Sequence, residues 1–586
     1  MKPESHPSPQ ENATFAFVNL HHLLPSISWL SNYRKENWKG DWPAGLTVGI
    51  MLIPQGMAYA MIAGLPVVYG LYAALVPQIV YGFLGTSRHL AVGPVAMDSL
   101  LVAAGLTGIA VAGSEDYIAL ALLLALIMGG LQLVMGTLRL GFLVNFLSKP
   151  VISGFTSAAA LIIGLNQLPH LLGVSSSQSN QLHHLMEGIR DSLGDTHLAT
   201  LTVGVLSIGA LGAMKRWAPK LPGALVVVVM SIFTSWIVGF DSLGIRVVGH
   251  IPSGLPSWSL PNPRWEELQE LFPIAMTLAL VAFMEAISVA KAIEERHDYR
   301  VDANQELRAL GMANILGSMF QSYPTTGGFS RTAVTEQAGG QTPATAWIAA
   351  SVVGLTLFAL TPLFYHLPNA VLAAIVMVAV AGLVDWKLPR HLLKHDKVEA
   401  GFLAFTFLTT AFVSLPIGIG LGVLLAVAWS VRQMMQPHVA ELGELEGVFR
   451  NVKRFPNAQV DADVLIVRYD GPINFANQSN FREFMTRMVK KKGQDLRLIV
   501  LQADTVAYVD ASAKAMLKNL IEEWQPHSIE LCMAGTIGPV RDALMGDEGL
   551  VGLPLRFQLN VHDALAEWRQ PGSVPPVHQD MAQQHG

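Results

Sequence analysis

Residues 323–334 read YPTTGGFSRTAV, with apolar runs on both sides. The Gly-Gly break interrupts the chain, and a helix starting near Phe329 puts Ser330 and Arg331 in its first turn. A permanent cation at membrane depth is costly and marks a functional position. A helix start exposes unpaired N–H groups and the positive end of the helix dipole, so it favours an anion. The bland alternative places Arg331 at a cytoplasmic loop end or in a fixed ion pair. Residues 91–101, AVGPVAMDSLL, repeat the design with a Gly-Pro interruption before a short helical run. Non-helical backbone inside a bilayer survives only where protein or a water-filled cavity satisfies it. Paired interrupted segments in two halves of a chain point to a transporter's binding site. Two such helix starts facing one another would make an anion pocket largely from backbone.

The surrounding composition supports a membrane setting. Of 586 residues, 51% are hydrophobic and only 14% charged, against roughly 25% charged in soluble domains. The deficit lies between about Asp41 and Gln433, where apolar blocks of about 20 residues follow one another in about 14 spans. The net charge of −5 argues against a nucleic-acid partner. Residues 1–40 form a polar arm with an amphipathic stretch, NLHHLLPSISWL, and no cleavable signal peptide is visible in it. The first spanning helix then acts as its own insertion signal. Basic loops alternate as an even number of spans requires. Arg34, Lys35, Lys39, Arg88, Arg139, Lys215, Arg216, Arg296, Arg300, Lys387, Arg390 and Lys394 fall on the cytoplasmic side. The loop around Glu115 and the stretch 174–196 fall outside. Lys149 does not fit this alternation; it either snorkels or marks a helix end.

Other residues carry chemistry. Glu285 lies in FPIAMTLALVAFMEAISVAKAI with no charge for more than ten residues before it. An isolated carboxylate there favours its neutral form, which suits proton coupling; a structural hydrogen bond or a permanent pair with Arg331 is the alternative. Gln55 and Tyr59 stand at i and i+4 on one face of the first span, able to donate to an oxyanion or to form an interhelical hydrogen bond. Asp98 would repel an anion, so it is read as a cap or an ion-paired group. NQEL, residues 304–307, is read as structural. Gly93 and Gly328 are 235 residues apart, and Gln55 and Glu285 are 230 apart; the similar offsets suggest two homologous halves.

After residue 440 the pattern changes to strands alternating with helices: DVLIVRYDG, NFREFMTRMVKK, LRLIVLQADTVAYVD, ASAKAMLKNLIEEW, SIELCMAG and GPVRDALMG. These imply a small α/β domain over 440–565, followed by a disordered tail over 571–586. Asp510 is a plausible helix cap and Ser512 a possible phosphoacceptor. Cys532, the single cysteine, is read as a core residue. No nucleotide loop, metalloprotease motif or nucleophile elbow is present. The reading is therefore a non-enzyme without cofactor or metal, whose active transport would be ion-coupled.

The blocks AGLTVGIMLIPQGMAYAMIAGLPVVYGLYAALVP, GTSRHLAVGPVAMDSLL, EAISVAKAI and GGFSRTAV, in that order before a soluble α/β domain, closely resemble the sulfate permease (solute carrier 26) family. That resemblance implies 14 transmembrane segments in two inverted repeats of seven, divided into core and gate domains over 41–435, and a cytoplasmic STAS domain. It implies a homodimer with elevator-like movement and a pocket of Gln55, Tyr59, Gly93, Pro94, Val95, Ala96, Phe329, Ser330 and Arg331. Glu285 matches the position associated with proton coupling. In phosphorylated soluble STAS proteins a Gly follows the serine, whereas Ala513 follows Ser512 here.

The resulting expectation is proton-coupled sulfate symport across a bacterial inner membrane, with both termini cytoplasmic. A C4-dicarboxylate or bicarbonate substrate, or an uncoupled anion exchanger or channel, is the alternative. The STAS domain would regulate transport or hold a protein partner.

Overall fold

Eight helices are long and apolar enough to cross a membrane among the residues that the computed structural model describes, which are 29–31, 33–142, 148–174, 181–218, 222–261 and 264–572. Most of the expected N-terminal amphipathic stretch and most of the tail lie outside these residues. The chain divides into two compact units, Met1–Ala426 and Val427–Gly586.

In the first unit the elements run in chain order. They are α1 (Lys35–Ile62), α2 (Val67–Ala73), α3 (Val76–Leu84), β1 (Val92–Gly93), α4 (Ala96–Leu106), α5 (Glu115–Thr137), α6 (Lys149–Leu172), α7 (Leu182–Ser192), α8 (Leu198–Trp217) and α9 (Gly223–Val238). Then come α10 (Trp265–Glu294), α11 (Ala303–Met319), β2 (Thr326–Gly327), α12 (Phe329–Gln337), α13 (Ala344–Leu355), α14 (Asn369–Ala381), α15 (Lys387–His395), α16 (Lys397–Phe412) and α17 (Leu415–Met435). Three shorter apolar helices, α4, α9 and α14, join the eight long spans. With α11, α12 and α16 the described residues supply fourteen segments. Lys149 begins α6, so it marks a helix end. The offset between halves also appears in the elements: Gln55 lies 20 residues after the start of α1, and Glu285 lies 20 residues after the start of α10.

Packing sorts these segments into two groups. In one, α11 lies on α5 and α13 lies on α1; in the other, α6 packs on α14 and α16, and α8 packs on α14. Small residues permit the closest approaches, as expected where lipid supplies no hydrophobic drive between helices. A Cβ on Gly129 of α5 would fall 2.7 Å from the carbonyl oxygen of Gly311 on α11, and the reverse substitution meets the Gly129 carbonyl at 2.7 Å. A Cβ on Gly154 of α6 would fall 2.5 Å from the carbonyl oxygen of Leu403 on α16.

The NQEL reading holds. Asp302 caps α11 by accepting from the Asn304 and Gln305 N–H groups. Glu306 is fully buried and accepts from Tyr81 Oη at 2.7 Å, Thr86 N at 2.7 Å and Ser87 N at 3.1 Å. It ties α11 to the turn after α3.

The second unit carries a six-stranded sheet in the order β4-β3-β5-β6-β7-β8. Its strands are β3 (His438–Leu445), β4 (Val448–Asn451), β5 (Val464–Asp470), β6 (Leu498–Gln502), β7 (Glu530–Ala534) and β8 (Leu555–Gln558). β3 runs antiparallel to β4 and β5, and β5 to β8 are parallel. Helices α18 (Gln478–Lys492), α19 (Ala511–Trp524), α20 (Gly538–Met545) and α21 (Val561–Arg569) complete the unit. Parallel strands need cover on both faces. Leu465, Val467 and Tyr469 of β5 face Phe481, Met485 and Leu517 of α18 and α19. Val464 and Ile466 face the opposite way, with Cys532 and Leu565. The hairpin β3–β4 and the pair β8–α21 are additions to the elements read from sequence. Their strands are short or broken by Glu and Gly, and pairing with β5 and β7 is what makes them strands. β3 begins two residues before the boundary expected at 440. Asp510 caps α19 by accepting from Ala513 N at 2.8 Å.

Burial pushes the Cys532 thiol up to about 12, and the side chain is 3% exposed. Native protein should therefore resist maleimide at neutral pH and label only after denaturation, as mass spectrometry would show. Rapid labelling of the folded protein would mean that this sheet face is open.

Candidate functional site

The two interrupted segments meet. β1 and β2 pair antiparallel, Val92 opposite Gly327 and Gly93 opposite Thr326. Each strand leads directly into a half-helix: α4 begins at Ala96 and α12 at Phe329. Neither start has a side-chain cap, so the first-turn N–H groups of both helices are left without a capping side chain.

Buried hydrogen bonds hold this crossing. Gly328 N donates to Ala91 O at 3.0 Å. Ala91 N donates to Thr332 Oγ1 at 3.0 Å. Thr325 N donates to Asn314 Oδ1 at 2.8 Å, and Asn314 Nδ2 donates back to Thr325 O at 3.0 Å. Thr326 Oγ1 donates to Ala282 O on α10 at 2.6 Å. The non-helical backbone thereby finds partners in α11, in α12 and in its own partner segment, as membrane depth requires.

A cavity of about 450 Å³ opens in front of the two helix starts. Its polar wall contains Gln55, Tyr59, Val95, Ala96, Glu285 and the Gly328–Arg331 turn. Seven of the nine expected pocket residues thus line one cavity together with Glu285. Gly93 and Pro94 do not line it. They sit behind Arg331, whose Nη1 donates to Pro94 O at 2.8 Å. Arg331 is 2% exposed, and its Nε and Nη2 have no hydrogen-bond partner within the protein. Gln55 Oε1 and Glu285 Oε2 are likewise unpartnered. Among the described residues Arg331 makes no ion pair within 4.0 Å, and Glu285 Oε2 and Gln55 Oε1 have no hydrogen-bond partner. Asp98 is a correction. It is fully buried in the first turn of α4, and both carboxylate oxygens lack partners, so it is neither a cap nor ion-paired. Ser512 sits in the first turn of α19, half-buried, in the other unit.

The opposite wall was not foreseen. Leu211, Met214, Ile375, Val378 and Leu383 from α8, α14 and the turn after it form a mostly apolar face. Apolar residues in apolar helices carry no individual signal in a sequence. Lys215 also lines this cavity, near the C-terminal end of α8; its MKRW context was read only for topology.

Comparison with known proteins agrees with this architecture. Residues 38–406 match the Sulfate permease family and residues 455–564 match the STAS domain. Sulfate transporter 4.1, chloroplastic, of Arabidopsis thaliana is 37% identical over 96% of this chain and 85% of its own length. The structure of the murine Solute Carrier 26 family member A9 anion transporter in the inward-facing state is similar with a TM-score of 0.87, 25% identity, and coverage of 97% of this chain and 96% of that one. The transmembrane domain of the cyanobacterial bicarbonate transporter BicA shares the fold with a TM-score of 0.59 at 23% identity, over 67% of this chain and 98% of that one.

Gly328 keeps the guanidinium in place. A Cβ there would lie 2.6 Å from Arg331 Nη2 and 2.7 Å from Cζ. Its target is a flexible side-chain end, so Gly328→Ala should move the guanidinium and leave the fold intact. Anion uptake by this variant in proteoliposomes should fall about tenfold or more, at unchanged melting temperature. Normal uptake would show that the position of Arg331 does not matter.

Proposed function

The chain belongs to the sulfate permease family, and from that premise we propose that it is a secondary active anion transporter that takes up sulfate together with protons. The observation that carries this reading is Arg331, a buried cation with two unpartnered nitrogens at a helix start, in one cavity with the unpartnered carboxylate of Glu285. Sulfate is a compact dianion. The N–H groups of both half-helices and the free guanidinium edge supply donors of matching sign. Gln55 and Tyr59 add side-chain polarity from α1.

Glu285 couples the proton. Ionised, it competes with the anion for Arg331. Protonated, it leaves the arginine to the anion and removes a repelling charge from the cavity. Loading of a dianion is then favoured with a proton on Glu285, and release of one favours release of the other.

The two walls support elevator-like movement. Every helix-start donor, with Arg331, Glu285, Gln55 and Tyr59, belongs to the group of α1, α4, α10 and α12. The facing wall of α8 and α14 is largely apolar. A polar site carried on one body can slide past a smooth apolar face without breaking hydrogen bonds to it. The cavity reaches Lys215, Gly223 and Gly382, at segment ends assigned to the cytoplasm by their basic flanks, so this conformation is inward-open. Lys215 there would attract anions at the mouth. We place the protein in a bacterial inner membrane as a homodimer, with both termini cytoplasmic and the STAS domain regulatory.

Purified protein in liposomes should accumulate labelled sulfate when an inward proton gradient is imposed, and much less without it. Absence of gradient-dependent uptake for sulfate, a C4-dicarboxylate and bicarbonate alike would overturn the reading. Arg331→Ala should lower uptake about thirtyfold or more, the scale of lost hydrogen bonds to a charged group, while protein yield and melting temperature hold. A failure to insert would instead make the arginine structural. Glu285→Gln should leave transport insensitive to the gradient; retained gradient dependence would remove Glu285 from the coupling step.

A further inference from the structure

Asp98 has no role in the mechanism above, yet its setting calls for one. It follows Met97, a cavity-lining residue, in the first turn of α4. It is fully buried, and neither carboxylate oxygen has a partner. α4 packs against α1, α5, α6 and α10. Those elements bring Tyr59 from α1, Tyr117 from α5 and Glu285 from α10, while α6 carries no acid or base between Lys149 and His170. Tyr323 Oη lies 3.1 Å from Oγ of Ser99, the residue after Asp98. Tyr117 is engaged elsewhere, donating to Ala63 O at 2.7 Å. Of these groups Glu285, carried on the packed helix α10, is the carboxylate.

An unpaired carboxylate taken out of water costs several kcal/mol. Two carboxylates that share a low-dielectric space cannot both ionise readily, and their protons then belong to the pair. We propose that Asp98 is a second proton-carrying residue, sharing the coupling proton with Glu285 across the α4–α10 contact. In the shared step an O–H bond breaks on the Asp98 carboxyl and one forms on the Glu285 carboxylate. Asp98 is left as the carboxylate, the charge of the pair stays the same, and nothing is oxidised or reduced. Arg331, which lines the cavity with Glu285, balances that carboxylate when it is ionised until an anion displaces it. Asp98 can thus hold a proton out of contact with the anion while Glu285 exchanges with the cavity.

This rests on the proton-coupled reading of the same cavity, and two measurements separate the fates of the two ideas. Infrared spectra of substrate-free protein in nanodiscs should show a protonated carboxylic-acid band at neutral pH that is reduced in Asp98→Asn. In Glu285→Gln a band from Asp98 should persist and titrate at a different pH from wild type. Identical bands in wild type and Asp98→Asn would overturn the proposal whether or not any anion is transported. If Asp98→Asn does not fold, the Glu285→Gln spectrum decides alone, and absence of the remaining Asp98 band overturns it. In proteoliposomes, Asp98→Asn should shift the pH midpoint of sulfate uptake by about one unit toward acid, because the neighbouring charge that helps Glu285 keep its proton is gone. An unmoved midpoint would leave Asp98 a bystander and overturn the proposal.

Discussion

Backbone that leaves the helix at membrane depth must find hydrogen-bond partners within the protein, and the two crossed segments at Val92–Gly93 and Thr326–Gly327 are where this chain meets that demand. Each unsatisfied group would cost several kcal/mol in hydrocarbon. The pairing of β1 with β2, the clamp of Asn314 on Thr325 and the bond from Ala91 N to Thr332 supply the partners. Once the crossing is in place, its consequences are forced. Both half-helices start beside one cavity, and Arg331, in the first turn of α12, reaches across to the carbonyl of Pro94. Both halves of the chain contribute one segment each, so the site cannot form from either half alone.

The crossing also separates structural from reactive polar groups. Glu306 and Asn314 are buried and well bonded, and they brace the scaffold. Arg331, Glu285 and Gln55 are left with unpartnered atoms toward a cavity. Buried polar groups in folded proteins are nearly always paired, so a cluster of unpaired ones of opposite charge sets this cavity apart from the rest of the scaffold. The apolar wall opposite adds a different property. It offers few side-chain hydrogen-bond partners to the polar groups it faces.

The second unit follows a simpler logic. Alternation along β5 sends Leu465, Val467 and Tyr469 to one helical layer and Val464 and Ile466 to the other. That alternation, and the amphipathic helices between strands, were legible because each strand is long enough to show its period. The β3–β4 hairpin and the four-residue β8 were not, since their conformation depends on the neighbours they pair with and not on their own pattern.

Much of the membrane unit was readable for a related reason. Long apolar runs force helices, a Gly-Gly break among them forces an interruption, and a charge such as Arg331 or Glu285 stands out against a background in which it is expensive. Family resemblance then named the pocket residues by position. Tertiary structure decided what one-dimensional spacing does not carry. It placed Gly93 and Pro94 behind the arginine and not on the cavity surface. It left Asp98 unpaired where a cap or an ion pair was expected, because no donor among the described residues lies within hydrogen-bond reach of it. It chose Leu211, Met214 and Ile375 from many equivalent apolar residues to form the second wall. The sequence by itself determined which residues are costly to bury; only the fold decided which of those costs are met by a neighbour and which are left unmet within the protein, since pairing depends on distance in space.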